Sequence, residues 1–409
     1  MKRYLLRLGL VIGGAIVGLL MAELATRLVT VAEPQPYQAD RYVGTRLKPG
    51  FQARFQREGD AWVSVNQAGF RDREHPVAKP PGTFRIAVLG DSFAEAVQVP
   101  LEQTFWSVLE TELNQQHGLD GRTVEVLNFG ISGHGTAQQL QMLRHYVWPY
   151  EPDLVLLAFF AGNDIRNNSR QLEPDPVRPF FQSVQGELVL DDTFLQHPQF
   201  RKANSTWVRW KVRLINASRL LQLLQRVWQQ RHRWTGSGNV EDAPASARSA
   251  QEPGLHDQFF LPTDDAFQSL VVDSSERAAW RDAWDVTDQL ILAMQRETAE
   301  HQARFAVVMV TQAIQVHPDP QVRKAFAQQL GVADLSYPER RIMQLGHAHH
   351  FLVIGLEEPF RERAEREKQF VHGFTNTQLG TGHWNAIGHR WAGERIAREL
   401  VRWWSTEPD

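Results

Sequence analysis

An acyl-transfer site needs a nucleophile, a base to take its proton, and hydrogen-bond donors aimed at the oxyanion that develops. Four stretches of the 409-residue chain offer these groups. Ser92 follows Gly90-Asp91 at the end of Phe84-Arg85-Ile86-Ala87-Val88-Leu89, and its own N–H can donate to an oxyanion. Gly133, within Ile131-Ser132-Gly133-His134-Gly135-Thr136, offers a second N–H with no side chain in the way. Asn163, within Gly162-Asn163-Asp164, offers a carboxamide that can donate to the same oxygen. His383, within Thr381-Gly382-His383-Trp384-Asn385, offers the base. Singly these are ordinary: Gly-Asp-Ser and Gly-Asn-Asp are common turns, and a lone His before a helix more often caps it. Together, each ends a strand or precedes the last helix, and order along the chain is no constraint on such a site.

The elements that must position them read as α/β. Residues 84–89 form a short apolar run bounded by Gly, the signature of a buried parallel strand. Phe105, Val108, Leu109 and Leu113 mark one face of a helix over 102–116. Thr123 to Leu127 and Leu154 to Phe160 are the next strands, separated by a helix that stops before Pro149. A long helix from about Ser275 to Glu300, strands at 305–310 and 351–356, and a last helix from Ala386 to Trp404 complete the pattern. Strand–loop–helix units in succession predict a parallel, doubly wound sheet with its loops at the strands' carboxyl ends. Asn385 is placed to cap the last helix, with Ala392, Ile396 and Leu400 facing inward.

Taken together, Gly90-Asp91-Ser92, Ile131-Ser132-Gly133 with Thr136, Gly162-Asn163-Asp164 and His383-Trp384-Asn385-Ala386-Ile387-Gly388-His389 resemble the four signature blocks of the SGNH (GDSL-type) hydrolase superfamily. The resemblance covers residues 84–169 and 304–404. It implies a flavodoxin-like three-layer fold with a five-stranded parallel sheet, and an enzyme that cleaves or transfers acyl esters. By position it makes Ser92 the nucleophile, Ser92, Gly133 and Asn163 the oxyanion hole, and His383 the base. One feature departs from the family: the acid expected two or three residues before the histidine is replaced by Thr381 and Gly380. Three readings stay open. The acid comes from elsewhere, with Asp334 and Glu357 as candidates; a Ser–His dyad operates, held by a backbone carbonyl; or activity is weakened or lost.

Net charge is −3, which argues against nucleic acid as a partner, and there is no cysteine, so thiolate chemistry and disulfides are excluded. Five histidines, His347, His349, His350, His383 and His389, raise a metal hydrolase, but no His-Glu-x-x-His occurs. No Gly-x-Gly-x-x-Gly or Walker loop supports a nucleotide site. No metal or cofactor is called for, and His134 reads as a rim residue.

Lys2, Arg3 and Arg7 precede an apolar stretch reaching Leu28, interrupted by Glu23 and Arg27. Residues 1–32 therefore read as a signal anchor or transmembrane helix, with the N-terminus cytoplasmic and the remainder periplasmic or extracellular. No small-x-small cleavage site is evident, which favours an anchor over a cleaved signal. Residues 33–83, punctuated by Pro34, Pro36, Pro49-Gly50 and Pro80-Pro81-Gly82, read as an irregular collar without chemistry of its own. Residues 84–409 form the hydrolase domain, with an insertion at 170–273. Between Thr193 and Val240 nine Lys or Arg occur and no Asp or Glu. Leu214, Ala217, Leu221, Leu224 and Trp228 fall on one stripe, read as a helix packing on the main domain, with a helix lying on an anionic membrane as the alternative. That helix is also placed to roof the site; residues 235–257 read as a linker.

The expected function is a serine esterase or acyl hydrolase acting on an acylated lipid or glycan. The alternatives are an O-acyltransferase on envelope polysaccharide and an inactive glycan- or lipid-binding module of the same fold.

Overall fold

Lys2–Val29 form one helix, α1, whose residues Arg3–Leu28 are long and apolar enough to cross a membrane. Leu10, Val11, Ile16 and Leu20 are all more than half exposed on it among the described residues. The computed structural model describes residues 2–29, 36–119, 121–235, 259–262 and 274–406. The expected linker at 235–257 lies, but for its first residue, outside the described residues.

The collar is more regular than its composition suggests. It folds as two antiparallel hairpins, β1 (Tyr37–Asp40) with β2 (Gly44–Leu47), and β3 (Gln52–Phe55) with β4 (Ala61–Ser64). Their strands are only four residues long, too short to declare a period of two in the sequence.

The main sheet then begins with β5 (Thr83–Leu89), followed by the single-turn helix α2 (Ser92–Glu95) and α3 (Phe105–Gln115). β6 (Thr123–Asn128), α4 (Thr136–Met142), β7 (Leu154–Phe159) and the short α5 (Ala161–Asp164) follow. The inserted region adds a hairpin of β8 (Phe180–Val184) and β9 (Glu187–Asp191), then α6 (Pro198–Ala203), α7 (Thr206–Ala217) and α8 (Arg219–Thr235). The α/β pattern resumes with α9 (Ser274–Glu300) and β10 (Arg304–Met309). α10 (Pro320–Leu330) and α11 (Tyr337–His349) precede β11 (Leu352–Gly355), and α12 (Glu357–Glu367) and α13 (Ala386–Thr406) follow it.

The five strands of the main sheet are parallel, in the order β6-β5-β7-β10-β11. Counted as they appear, this is 2-1-3-4-5, the flavodoxin-like order expected. All seven residues of β5 and all six of β7 are buried, because helices cover both faces. Alternation sends Ala87 and Leu89 to the layer holding Trp280, Trp284, Leu290 and Met294 of α9. Phe84, Ile86 and Val88 point the other way, toward Phe105, Trp106 and Leu109 of α3 and Trp391, Ile396 and Leu400 of α13. Burying each such side chain is worth roughly 1.5–3 kcal/mol, so these two layers hold the sheet and its loop edge rigid. The order reverses between β5 and β7, and their carboxyl ends carry Ser92 and Asn163.

The inserted helix expected from the Leu214–Trp228 stripe is two helices, broken at Ser218. Its stripe does not pack on the main domain: Leu214, Leu224 and Trp228 are 54%, 55% and 61% exposed. Nor do the described residues show it roofing the site, since α8 packs against α1.

Candidate active site

β5 delivers Gly90-Asp91 to the sheet edge, and the chain turns at once into α2 with Ser92 as its first residue. The turn is fixed by the Asp91 side chain, which caps α2 by accepting from the Phe93 N–H at 2.9 Å. Its second oxygen accepts from the Asn163 carboxamide at 2.9 Å, so the loops after β5 and β7 are tied together under the serine. The Ile131 N–H donates to Gly90 O at 3.2 Å, bringing in the loop after β6.

His383 reaches the same point from the loop before α13. Its Nε2 lies 2.8 Å from Ser92 Oγ. Its Nδ1 lies 2.6 Å from the Glu58 carboxylate, whose other oxygen accepts the His383 backbone N–H at 2.8 Å. Glu58 sits in the turn between β3 and β4, within the collar expected to hold no chemistry. That turn is clasped by Asn376, which accepts from the Gly59 N–H at 3.0 Å and donates to Gly59 O at 2.8 Å and Gln56 O at 3.1 Å. Close approach of the carboxylate requires glycine at 382: its φ is +71°, and a Cβ there would stand 2.2 Å from Glu58 Oε1. Asp334 and Glu357, the acids weighed from the sequence, lie elsewhere. Asp334 bonds Arg340 and the Ser336 N–H, and Glu357 bonds Gln315, Ser336 and Arg361.

The electrostatics follow from this contact. Burial by itself would lower His383, but the hydrogen bond and charge of Glu58 outweigh it, and the imidazole ends above its ordinary value. Burial would raise Glu58, yet His383, its backbone N–H and Gln98 together hold the carboxyl below its usual range. Beneath the serine, burial pushes Asp91 up to about 6. Asp164 is raised well above the carboxylate range by burial and by the neighbouring Asp91 charge. His372 is lowered to about 4 by burial, and its Nδ1 bonds Gly382 O at 2.8 Å, steadying the His383 loop.

The expected oxyanion donors line the same edge. Among the described residues neither the Ser92 nor the Gly133 N–H has an acceptor, and Gly133, at φ +79°, faces open space. The Asn163 carboxamide gives one hydrogen to Asp91 and keeps the other. The Gly133 loop is held from below: the Ser132 N–H donates to Glu95 at 2.5 Å, and the Tyr37 hydroxyl donates to the same carboxylate at 3.0 Å. The Arg71 guanidinium donates to the carbonyls of Glu95 at 2.9 Å and Ala96 at 2.6 Å, clasping the end of α2. His134, expected at the rim, is buried with Nε2 2.9 Å from Thr45 O. It lines a cavity of about 140 Å³ beside Gly133, with Tyr37, Thr45, Gln138 and Arg178.

Of the residues singled out in the sequence, Ser92 and His383 touch, and Asn163 joins them through Asp91. Glu58, Tyr37, Asn376 and Arg71 were missed; no local pattern marks them, because their roles exist only across the fold.

No protein-family model matches the chain. An arylesterase from Vibrio mimicus is 37% identical over 82 residues, which is 20% of this chain and 39% of that protein, well under half of the relative. The structure of an acetyl xylan esterase is 11% identical and covers 78% of this chain and 100% of that one, with a TM-score of 0.36. A psychrotrophic esterase from Pseudoalteromonas sp. is 10% identical, covering 79% and 99%, with a TM-score of 0.34. Scores this low leave the fold to rest on the strand order itself. The resemblance to SGNH (GDSL-type) hydrolases is carried by the order of the four blocks and by that topology.

Proposed function

We propose that this protein is a serine ester hydrolase working through Ser92, His383 and Glu58. The observation that carries the proposal is the unbroken chain of hydrogen bonds from Ser92 Oγ through the His383 ring to the Glu58 carboxylate. His383 Nε2 takes the hydroxyl proton as Ser92 Oγ bonds to the ester carbonyl carbon. The carbonyl oxygen becomes an oxyanion, met by the N–H groups of Ser92 and Gly133 and the Asn163 carboxamide. The C–O bond to the alcohol then breaks, and the imidazolium returns its proton to the departing oxygen. Water, deprotonated by the same imidazole, attacks the acyl-serine; the acyl–Oγ bond breaks, the imidazolium returns its proton to Ser92 Oγ, and the carboxylic acid leaves. Glu58 keeps the proton of His383 on Nδ1 in the resting enzyme and favours the imidazolium that forms.

Two features support an anchored enzyme. α1 has the length and composition of a membrane span, and Lys2, Arg3 and Arg7 hold its start on the cytoplasmic side. The catalytic domain then stands in the periplasmic or extracellular space, with acylated lipid or glycan as substrate.

The test is turnover of p-nitrophenyl acetate by the detergent-solubilised full chain beside its Ser92→Ala variant. Loss of the nucleophile is expected to remove about 10⁴-fold or more of kcat. Equal rates in the two proteins overturn the proposal.

A further inference from the structure

Glu23 lies within the apolar helix α1, where a carboxylate is costly unless its charge is met. Here it is met by the junction of α7 and α8. Glu23 accepts from the Ser218 hydroxyl at 2.7 Å and from the Arg219 and Leu220 N–H groups at 3.0 Å each. These are the first N–H groups of α8, donors that a helix start leaves unsatisfied and that favour negative charge. Arg27, one turn further, pairs with Glu23 at 2.8 Å and donates to Ala217 O at 3.2 Å, the end of α7. One Glu–Arg pair therefore clips both helices to the anchor.

The depth of that clip is set by the span. Arg3–Leu28 comprise 26 residues, about 39 Å of helix, against a hydrocarbon core of about 30 Å. Glu23 is one turn and a half from the outer end, so the α7–α8 junction sits at the membrane–water boundary. Both helices leave it presenting apolar residues to the outside. Trp207, Trp210 and Leu214 are 75%, 58% and 54% exposed, at helical spacing i, i+3, i+7 on α7. Leu221, Leu224 and Trp228 repeat the pattern on α8, at 39%, 55% and 61%. The segment holding them has basic residues and no acidic ones from Thr193 to Val240.

We propose that α7 and α8 lie in the outer membrane–water interface beside α1, apolar residues inward and basic residues at anionic lipid headgroups. The occupant of this face is the bilayer that α1 crosses. The apolar surface of α1 continues onto α8 through their contact, and the basic bias complements an anionic surface. The inference rests on α1 being an anchor. It adds a second, sideways attachment that fixes how the catalytic domain is carried above the lipid.

The chain has no cysteine, so single-cysteine variants carry a nitroxide at one known place. Full chains with Ile16→Cys, Leu214→Cys, Leu224→Cys or Gln328→Cys are reconstituted in phosphatidylcholine vesicles with and without phosphatidylglycerol. Collision with oxygen, which concentrates in lipid, is compared with collision with a water-soluble nickel chelate. Leu214 and Leu224 are expected to show an oxygen-to-nickel ratio several-fold above Gln328 and below Ile16, falling when phosphatidylglycerol is omitted. Leu214 and Leu224 as wet as Gln328, with Ile16 still in lipid, overturn the inference and leave the anchor standing. Ile16 in water overturns both. Labels shielded from both reagents put a protein on this face and likewise overturn the bilayer assignment.

Discussion

At the scale of single residues, the proposed chemistry turns on a glutamate. Glu58→Gln keeps shape but removes the charge that raises His383 and turns one of the two acceptor oxygens into a donor. Its kcat is expected to fall by up to about 10⁴-fold, the loss that follows when the orienting acid of a triad is neutralised. The base must be neutral to accept a proton, so kcat/KM climbs with pH through the His383 pKa. Without Glu58 that pKa drops, and the acid limb of the pH–rate profile moves to lower pH. Stability carries the same signature. A histidine raised by folding contributes stability that is complete below its unfolded value of 6.5 and lost as pH rises through the folded one. A glutamate lowered by folding contributes stability present above 4.5 and lost as pH falls through its folded pKa. The difference in melting temperature between the parent and Glu58→Gln is therefore expected to be greatest between pH 4.5 and 6.5, by thermal unfolding across that range.

At the scale of elements, the site depends on how a hairpin turn is clasped. Asn376→Ala removes three hydrogen bonds to the β3–β4 turn. It is expected to cost about 1–3 kcal/mol in denaturant unfolding and to lower kcat with little change in KM, because Glu58 no longer sits against the ring. Tyr37→Phe should likewise loosen the Gly133 loop through Glu95, read as a fall in kcat. These dependences explain what could be read from the chain. β7 is apolar throughout and β5 nearly so, α13 has inward residues at helical spacing, and Ser92, Asn163 and His383 each adjoin such an element. Local pattern was enough to place them at one edge. Glu58 lies in a turn of ordinary composition, and its partner is 325 positions away, so only folding reveals the contact. The stripe on α7 and α8 misled for the opposite reason: periodicity reports an apolar face but not which solvent it meets.

At the scale of the whole molecule, the segment that leads out of the proposed anchor is part of the proposed catalytic apparatus. A chain beginning at residue 36 retains Tyr37, Glu58 and Arg71 and is expected to hydrolyse p-nitrophenyl acetate at a rate near the detergent-solubilised parent. A chain beginning at residue 83 keeps the entire sheet and all four sequence blocks, yet is expected to lose most activity for want of Glu58. Sequence separation also has a bearing on biosynthesis. Ser92 and Glu58 leave the ribosome early, and His383 emerges 291 positions after the serine. A nascent or prematurely terminated polypeptide therefore displays a serine with no group to deprotonate it. On the proposed mechanism, ester cleavage begins only after the late loop has docked.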